Sequence, residues 1–321
     1  MKDYLNEIDS RFPVRNSELQ TEAFRNYALQ EAYASGYSAS AEALGTKSSG
    51  EHHNNVIGDP EKARVIFTAH YDTPRRALVP NIMIPLNPVL KWTCVLVPIL
   101  VMLAIAIGAG YAARKLSGLE GLSGRLVYFL VYLAVYFGLF LLILRGPANR
   151  RNRNDNTSGT AAVLSLAEKL SGVPGAAFIL FDNEEKGKKG SKAYAQAAPE
   201  VKSSRLTVNM DCVGNGGQFI VSASEDAMND PLFPALFSAL EGAGAKIYPA
   251  RKASMNSDQK SFDKGVGICA CIYKEGIGYY TPRIHTGRDT IALPENIASL
   301  TDALADFMRK AGKQEITHET I

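Results

Sequence analysis

Two stretches in the middle of this chain contain no charged side chain: Trp92 to Ala113, and Leu126 to Leu144, which Arg125 and Arg145 bracket. Soluble helices seldom run so long without a polar face. At 1.5 Å per residue the shorter stretch spans about 28 Å, close to the hydrocarbon thickness of a bilayer. Both therefore read as transmembrane helices, the competing reading being a buried hairpin or an extra helical lobe. Pro98, Gly108 and Gly138 are compatible with spans, since lipid-embedded helices tolerate them.

Two spans make a hairpin, which leaves the chain before and after it on one side of the membrane. Arg75, Arg76, Lys91, Arg145, Arg150, Arg151 and Arg153 flank the hairpin, whereas its turn holds only Arg114, Lys115 and Arg125. The positive-inside rule then predicts a two-pass protein of the plasma membrane with its main domain and both termini in the cytoplasm. Residues 1–20 lack an apolar core and are no secretory signal. The four cysteines read as core thiols without a disulfide framework: Cys94 lies in a span, Cys212 follows Asp211, and Cys269 and Cys271 alternate in an apolar run. A formal net charge of +3 is too small to suggest a nucleic-acid partner. The arginines at 145–153 are better explained as charges meeting anionic lipid.

Outside the hairpin (89–146), residues 1–88 and 147–321 have the size of one discontinuous domain with a single core. Ser17 to Ala34 reads as a helix with Leu19, Ala23, Phe24, Tyr27 and Ala28 on one face. Three short β-branched and aromatic runs read as buried strands: Val65 to Thr68, Ala177 to Phe181 and Leu206 to Met210. Asn55 to Gly58, a turn at Asp59-Pro60 and the chain from Ala63 read as a hairpin leading into the first of them. A last helix is expected near Ala292 to Ala311, with Asp289-Thr290 as its start signal.

Chemistry-bearing residues gather just past these strands, in AHYDTP (69–74), NDNTSG (154–159), FDNEEKG (181–187), VNMDC (208–212) and RIHTGRDT (283–290). Ligands at the carboxyl ends of strands follow the general rule for open α/β sheets. The stretches supply two histidines, His70 and His285, and three carboxylates, Asp155, Glu185 and Asp211, with Glu184 left over. That is the ligand set of two adjacent divalent cations sharing one bridging carboxylate, for which Asp155 is the candidate. Nitrogen and oxygen donors without cysteine suit two Zn²⁺ per chain, with Co²⁺ or Mn²⁺ as possible substitutes. Water acidified by such a pair still needs a base, and Glu184 is placed for that role. Taken singly, each residue has a simpler reading, such as a helix cap for Asp155 or a solvated loop for Glu184 and Glu185. The ordered set is hard to explain that way.

The succession His-x-Asp, Asp-Asn-x-Ser-Gly, Glu-Glu-x-Gly, Asn-x-Asp and Ile-His-Thr resembles peptidase family 28 of the metallopeptidases. This family comprises co-catalytic zinc aminopeptidases together with glutamate carboxypeptidases and glutaminyl cyclases. The resemblance covers about residues 15–80 and 147–312. It implies a three-layer α/β/α zinc-peptidase fold with a mixed, mostly parallel sheet, to which the hairpin is an insertion. It also implies that His70 and Asp211 hold one zinc, that Glu185 and His285 hold the other, and that Asp155 bridges. Glu184 becomes the general acid and base, and Asp72 the carboxylate that orients His70. The family's usual Ser-Asp-His segment is here Ser257-Asp258-Gln259, a departure at Gln259.

The expected activity is that of a membrane-anchored exopeptidase, an aminopeptidase acting on short peptides. The alternatives are a carboxypeptidase or glutaminyl cyclase on the same scaffold, or a non-catalytic tethered binding protein. The cyclases work with one metal, so retention of His70 and Asp211 argues against them. Retention of every ligand argues against the binding protein. Tyr279 or Tyr280 could hydrogen-bond a tetrahedral intermediate or simply pack. Side-chain preference and oligomeric state are not encoded in any single motif. Asp72 lies twenty residues before Trp92 and Asp155 eleven residues after Leu144. The second connection cannot exceed roughly 40 Å, which sets the expected site near the membrane surface.

Overall fold

A computed structural model describes residues 2–46, 50–77, 82–144 and 146–318. Two helices open the chain, α1 (Tyr4–Arg11) and α2 (Glu18–Ala34), followed by strands β1 (Ala39–Thr46), β2 (Gly50–Ile57) and β3 (Val65–His70). The apolar stretches form α3 (Pro88–Ser117) and α4 (Gly121–Leu144). Next come α5 (Gly159–Lys169), β4 (Ala176–Phe181), α6 (Lys189–Ala197), α7 (Pro199–Ser204), β5 (Leu206–Met210) and β6 (Gln218–Ala223). The chain ends with α8 (Glu225–Met228), α9 (Phe233–Gly242), β7 (Lys246–Pro249), β8 (Gly265–Lys274), β9 (Gly278–Tyr280) and α10 (Pro294–His318).

The strands form one mixed sheet in the order β1-β2-β4-β3-β5-β8-β6-β7, with β9 attached to β8. Its central strands β4, β3, β5 and β8 run parallel, and β2 and β6 join them antiparallel. Alternation along these strands sorts side chains to two faces. Val65, Phe67, Phe178, Leu180, Val208 and Met210 enter a large core with α1, α2, α5, α9 and α10. Ile66, Ala177, Ile179 and Phe181 enter a smaller one with Tyr194 of α6 and Val201 of α7. The result is the expected three-layer α/β/α arrangement.

One local expectation fails. The turn at Asp59 exists, its carbonyl accepting from the amides of Lys62 and Ala63 at 3.2 and 2.9 Å, but β2 and β3 are not hairpin partners. β2 pairs with β1 and β4, and β4 separates it from β3. Both edges of β3 are taken by parallel neighbours, so the chain leaving the turn enters the middle of the sheet.

The two apolar helices pack on each other and on little else. A stripe of Met102, Ala106 and Gly110 on α3 is buried. A Cβ at Gly110 would stand 2.8 Å from the Tyr128 carbonyl, so only glycine admits this backbone approach. Elsewhere both helices expose large apolar side chains, Val95, Leu100, Ile105, Leu126 and Leu130 among them. Both are long and apolar enough to cross a membrane. Their root is tied to the α/β body through bridges between Arg75 and Ala148 and between Met83 and Thr281. Asn87 caps α3, accepting from the Leu90 amide at 3.0 Å and donating to the Ile277 carbonyl at 3.3 Å. Arg145, counted among the flanking cations, lies outside the described residues.

Candidate metal centre

Because β3, β4 and β5 are parallel, their carboxyl ends share one edge of the sheet, and three of the five stretches emerge there. His70 is the last residue of β3, not a loop residue beyond it. Asp211 follows β5, and Glu184 and Glu185 stand on the loop after β4. That loop turns back on itself, with the amides of Gly187 and Lys188 donating to the Glu184 carbonyl at 2.8 and 2.7 Å. Asp155 comes from the segment entering α5 and His285 from the loop between β9 and α10.

The Asp155 carboxylate faces two ligand pairs at once. Its Oδ1 lies 3.5 Å from His70 Nε2, which is in turn 3.8 Å from Asp211 Oδ1. Its Oδ2 lies 3.0 Å from His285 Nε2, which is 3.3 Å from Glu185 Oε2. His70, Asp155 and Asp211 thus form one group able to hold a cation, and Asp155, Glu185 and His285 a second. The donor atoms suit zinc. Two oxygens of these carboxylates, Asp211 Oδ1 and Glu185 Oε1, are buried without a hydrogen-bond partner, a costly state that a coordinated cation relieves.

Electrostatics agree. Burial pushes the Glu184 and Glu185 carboxyls well above their ordinary range, and the charge of Asp155 raises Glu185 further. Burial alone would raise Asp155 too, but hydrogen bonds to His285 and His70 outweigh it and hold the carboxyl below the usual carboxylate range. For His70, burial opposes charging, yet Asp155, Asp211 and Asp72 prevail and raise it. Crowded acids around two imidazoles are short of positive charge, which divalent cations supply.

Asp72 contacts more than His70. Its carboxylate accepts the backbone N–H groups of Glu184 and Glu185 at 3.0 and 3.2 Å, fixing the acidic pair from below. His70 Nδ1 lies 3.2 Å from the Asp72 carbonyl and 3.4 Å from its carboxylate. Asn156 ties the Asp155 segment to β5, donating to the Met210 carbonyl at 3.0 Å and accepting from the amides of Gly159 and Cys212. A Cβ at Gly159 would collide with the Met210 carbonyl at 2.1 Å, which explains the glycine in NDNTSG. Backbone strain gathers here as well. Positive φ occurs at Asn183, Lys188, Cys212, Arg283 and His285, each beside or within a site segment.

Asp289 is the residue that sequence reasoning missed. It does not start α10, which begins at Pro294. Its buried carboxylate instead accepts the N–H groups of Asn154 and Asp155 at 3.1 and 3.0 Å, holding the backbone that carries Asp155. Gln259 also acquires a role: it accepts from Asn209 Nδ2 at 3.1 Å, while Asn209 Oδ1 accepts from Thr68 at 2.9 Å. Tyr279 packs on Tyr273 and hydrogen-bonds Lys246, and neither Tyr279 nor Tyr280 lines the site cavity.

Comparison with known proteins bears on this geometry. Residues 151–308 match the sequence pattern of peptidase family M28. This chain carries an M28 peptidase domain. The matched part of the M28 domain includes Asp155, Glu184, Glu185, Asp211 and His285, while His70 and Asp72 precede the hairpin. None of the curated proteins matches the chain by sequence. Among solved structures, the M28 chain is similar to a glutaminyl cyclase of Porphyromonas gingivalis (13% identity, 96% of each chain, TM-score 0.60). It is similar also to a Zn-dependent exopeptidase of Parabacteroides distasonis (15% identity, 95% of each chain, TM-score 0.58). A third is the LapA aminopeptidase of Legionella pneumophila (16% identity, 96% of this chain and 69% of that one, TM-score 0.56). These likenesses establish the shared α/β fold.

Proposed function

We propose that this protein is a membrane-anchored, zinc-dependent aminopeptidase that removes amino-terminal residues from short peptides. The observation that carries the reading is the position of Asp155, whose two carboxylate oxygens face the pairs His70–Asp211 and Glu185–His285. In this assignment each pair would hold one zinc, with Asp155 shared between the two. When bound, such ions acidify water and polarise the scissile carbonyl. Glu184, whose backbone is pinned by Asp72, takes the proton of the attacking water and returns it to the leaving amine. Asp72 keeps the Glu184–Glu185 backbone and the His70 ring in place for that transfer.

The hairpin of residues 89–146 is assigned as a membrane unit inserted into a catalytic domain made of 1–88 and 147–321. Support comes from the exposed apolar surfaces of α3 and α4 and from the Arg75–Ala148 bridge that closes the domain at their root. Basic residues on the domain side favour a cytoplasmic catalytic domain. Ile82, Met83 and Lys91, at the approach to α3 and in its first turn, line the same cavity as His70 and Asp155, which supports a site beside the bilayer surface.

The test is metal analysis of purified protein with hydrolysis of an amino-acid anilide. The expected result is two zinc ions per chain, activity abolished by a chelator, and loss of metal from both positions in Asp155→Ala. Normal retention of two ions by that variant would remove Asp155 from the bridging role. Metal-loaded wild-type protein that cleaves no anilide or peptide would sink the peptidase reading.

A further inference from the structure

The cavity at the metal centre is lined by more than acids and imidazoles. Lys91, Lys188, Ser254 and Asn256 line it as well. Lys91 belongs to the first turn of α3, where a lysine reads from sequence as a flanking membrane charge. In the fold it is half-buried and turned toward the domain, its Nζ donating to Ser254 Oγ at 2.9 Å and to the Ser254 carbonyl at 3.4 Å. An ammonium has three donors, so one is left for a ligand. Lys188 donates to Asn256 Oδ1 at 2.9 Å. Neither lysine pairs with any described carboxylate, although the site is rich in them.

The Lys91 wall is rigidly placed. The Ser254 amide donates to the Pro85 carbonyl at 2.8 Å and the Thr281 amide to the Met83 carbonyl at 2.9 Å, so the segment entering α3 and the 254 loop hold each other. The cavity measures about 310 Å³, at the lower end of the roughly 300–1,000 Å³ usual for small-ligand sites. A peptide held in it with its amino end at the acids and its other end at Lys91 must therefore be short.

We propose that Lys91 recognises the free α-carboxylate of a di- or tripeptide whose amino end lies at the metal centre, with Lys188 as a second cationic contact. The inference rests on the peptidase reading and sharpens its substrate class. It also makes the membrane helix part of the substrate site, since the residue that reads the carboxylate is the foot of α3.

The experiment uses the full-length, zinc-loaded protein in detergent with leucylglycine, leucylglycinamide and leucylaspartic acid α-amide, whose side-chain carboxylate is free. A hydrogen bond between charged groups corresponds to a preference of roughly ten- to a hundredfold. Leucylglycine should be favoured over its amide by that factor, mainly through KM. Lys91→Met should abolish the preference, its loss falling mainly on leucylglycine, and Lys91→Arg should restore it. Equal use of acid and amide by wild type, or an equal loss on both substrates in Lys91→Met, overturns the proposal. Selective use of the aspartic α-amide would mean that an acidic side chain is recognised instead, which also overturns it. Calorimetric titration of the Glu184→Gln protein with the same compounds separates this inference from the peptidase reading. Carboxylate-dependent binding that needs Lys91, without wild-type hydrolysis, refutes the enzyme but keeps the Lys91 assignment. Hydrolysis without carboxylate dependence does the reverse.

Discussion

Replacing Asp289 tests whether Asp155, the proposed bridging acid, depends on a carboxylate outside the proposed ligand set. Both oxygens of Asp289 are engaged, one by the Asn154 amide at 3.1 Å and one by the Asp155 amide at 3.0 Å, and the residue is 1% exposed. Asp289→Ala leaves two buried donors unpaired, each costing about 1–3 kcal/mol, hence about 2–6 kcal/mol together. Asp289→Asn keeps one acceptor oxygen and should lose roughly half of that. For a domain of this size the alanine variant should unfold on the order of 5–20 °C lower, at about 2–4 °C per kcal/mol. Releasing the backbone at Asp155 should also weaken metal retention about ten- to a hundredfold, the usual effect of losing an outer partner of a ligand. Thermal unfolding in detergent and zinc competition against a chelator measure the two effects, and the order wild type, Asn, Ala should hold in both. An alanine variant with wild-type unfolding temperature and zinc affinity would refute the reasoning, because those amides would then have found water or another acceptor.

Glu184→Gln should retain both zinc ions and lose turnover about a hundred- to ten-thousandfold, read from anilide kinetics alongside metal analysis; near-normal turnover at full occupancy reassigns the base. Arg15 is fully buried and donates to the Tyr71 carbonyl, the Phe12 carbonyl at 2.8 Å and Thr157 Oγ1 at 3.1 Å. Arg15→Met strips these acceptors and should cost about 3 kcal/mol or more, seen as a lower urea midpoint; an unchanged midpoint contradicts this. Replacing residues 95–141 with a short polar linker, which spares Lys91, should give a protein that no longer partitions with vesicles but still cleaves leucylglycine. Persistent vesicle binding by that protein would show that the anchor lies elsewhere.

Much of the site was legible because its ligands come directly after runs whose composition announces buried strands. Val65 to Thr68, Ala177 to Phe181 and Leu206 to Met210 are all strand in the fold, and parallel pairing brings the residues at their carboxyl ends to one edge. The order of strands was less legible. The turn at Asp59 looks like a hairpin turn, but whether β2 meets β3 or β4 is set by contacts distant in sequence. The role of Asp289 and the contacts of Lys91 escaped the sequence for one common reason. A charged residue before a helix and a lysine at the edge of an apolar stretch both have ordinary local explanations, and their partners at 154–155 and 254 lie more than a hundred residues away in the chain.

By itself, the sequence determined the α/β class, the identity of the candidate ligands and the two long apolar helices, since strand burial, donor chemistry and charge-free length are properties of short segments. Tertiary structure alone decided which oxygen of Asp155 faces which histidine, which amides Asp72 and Asp289 hold, and that the foot of α3 closes the cavity. Those are relations between backbone groups and side chains brought together from distant segments, and hydrogen bonds of that kind are specified by the packed arrangement of the sheet edge, not by local pattern.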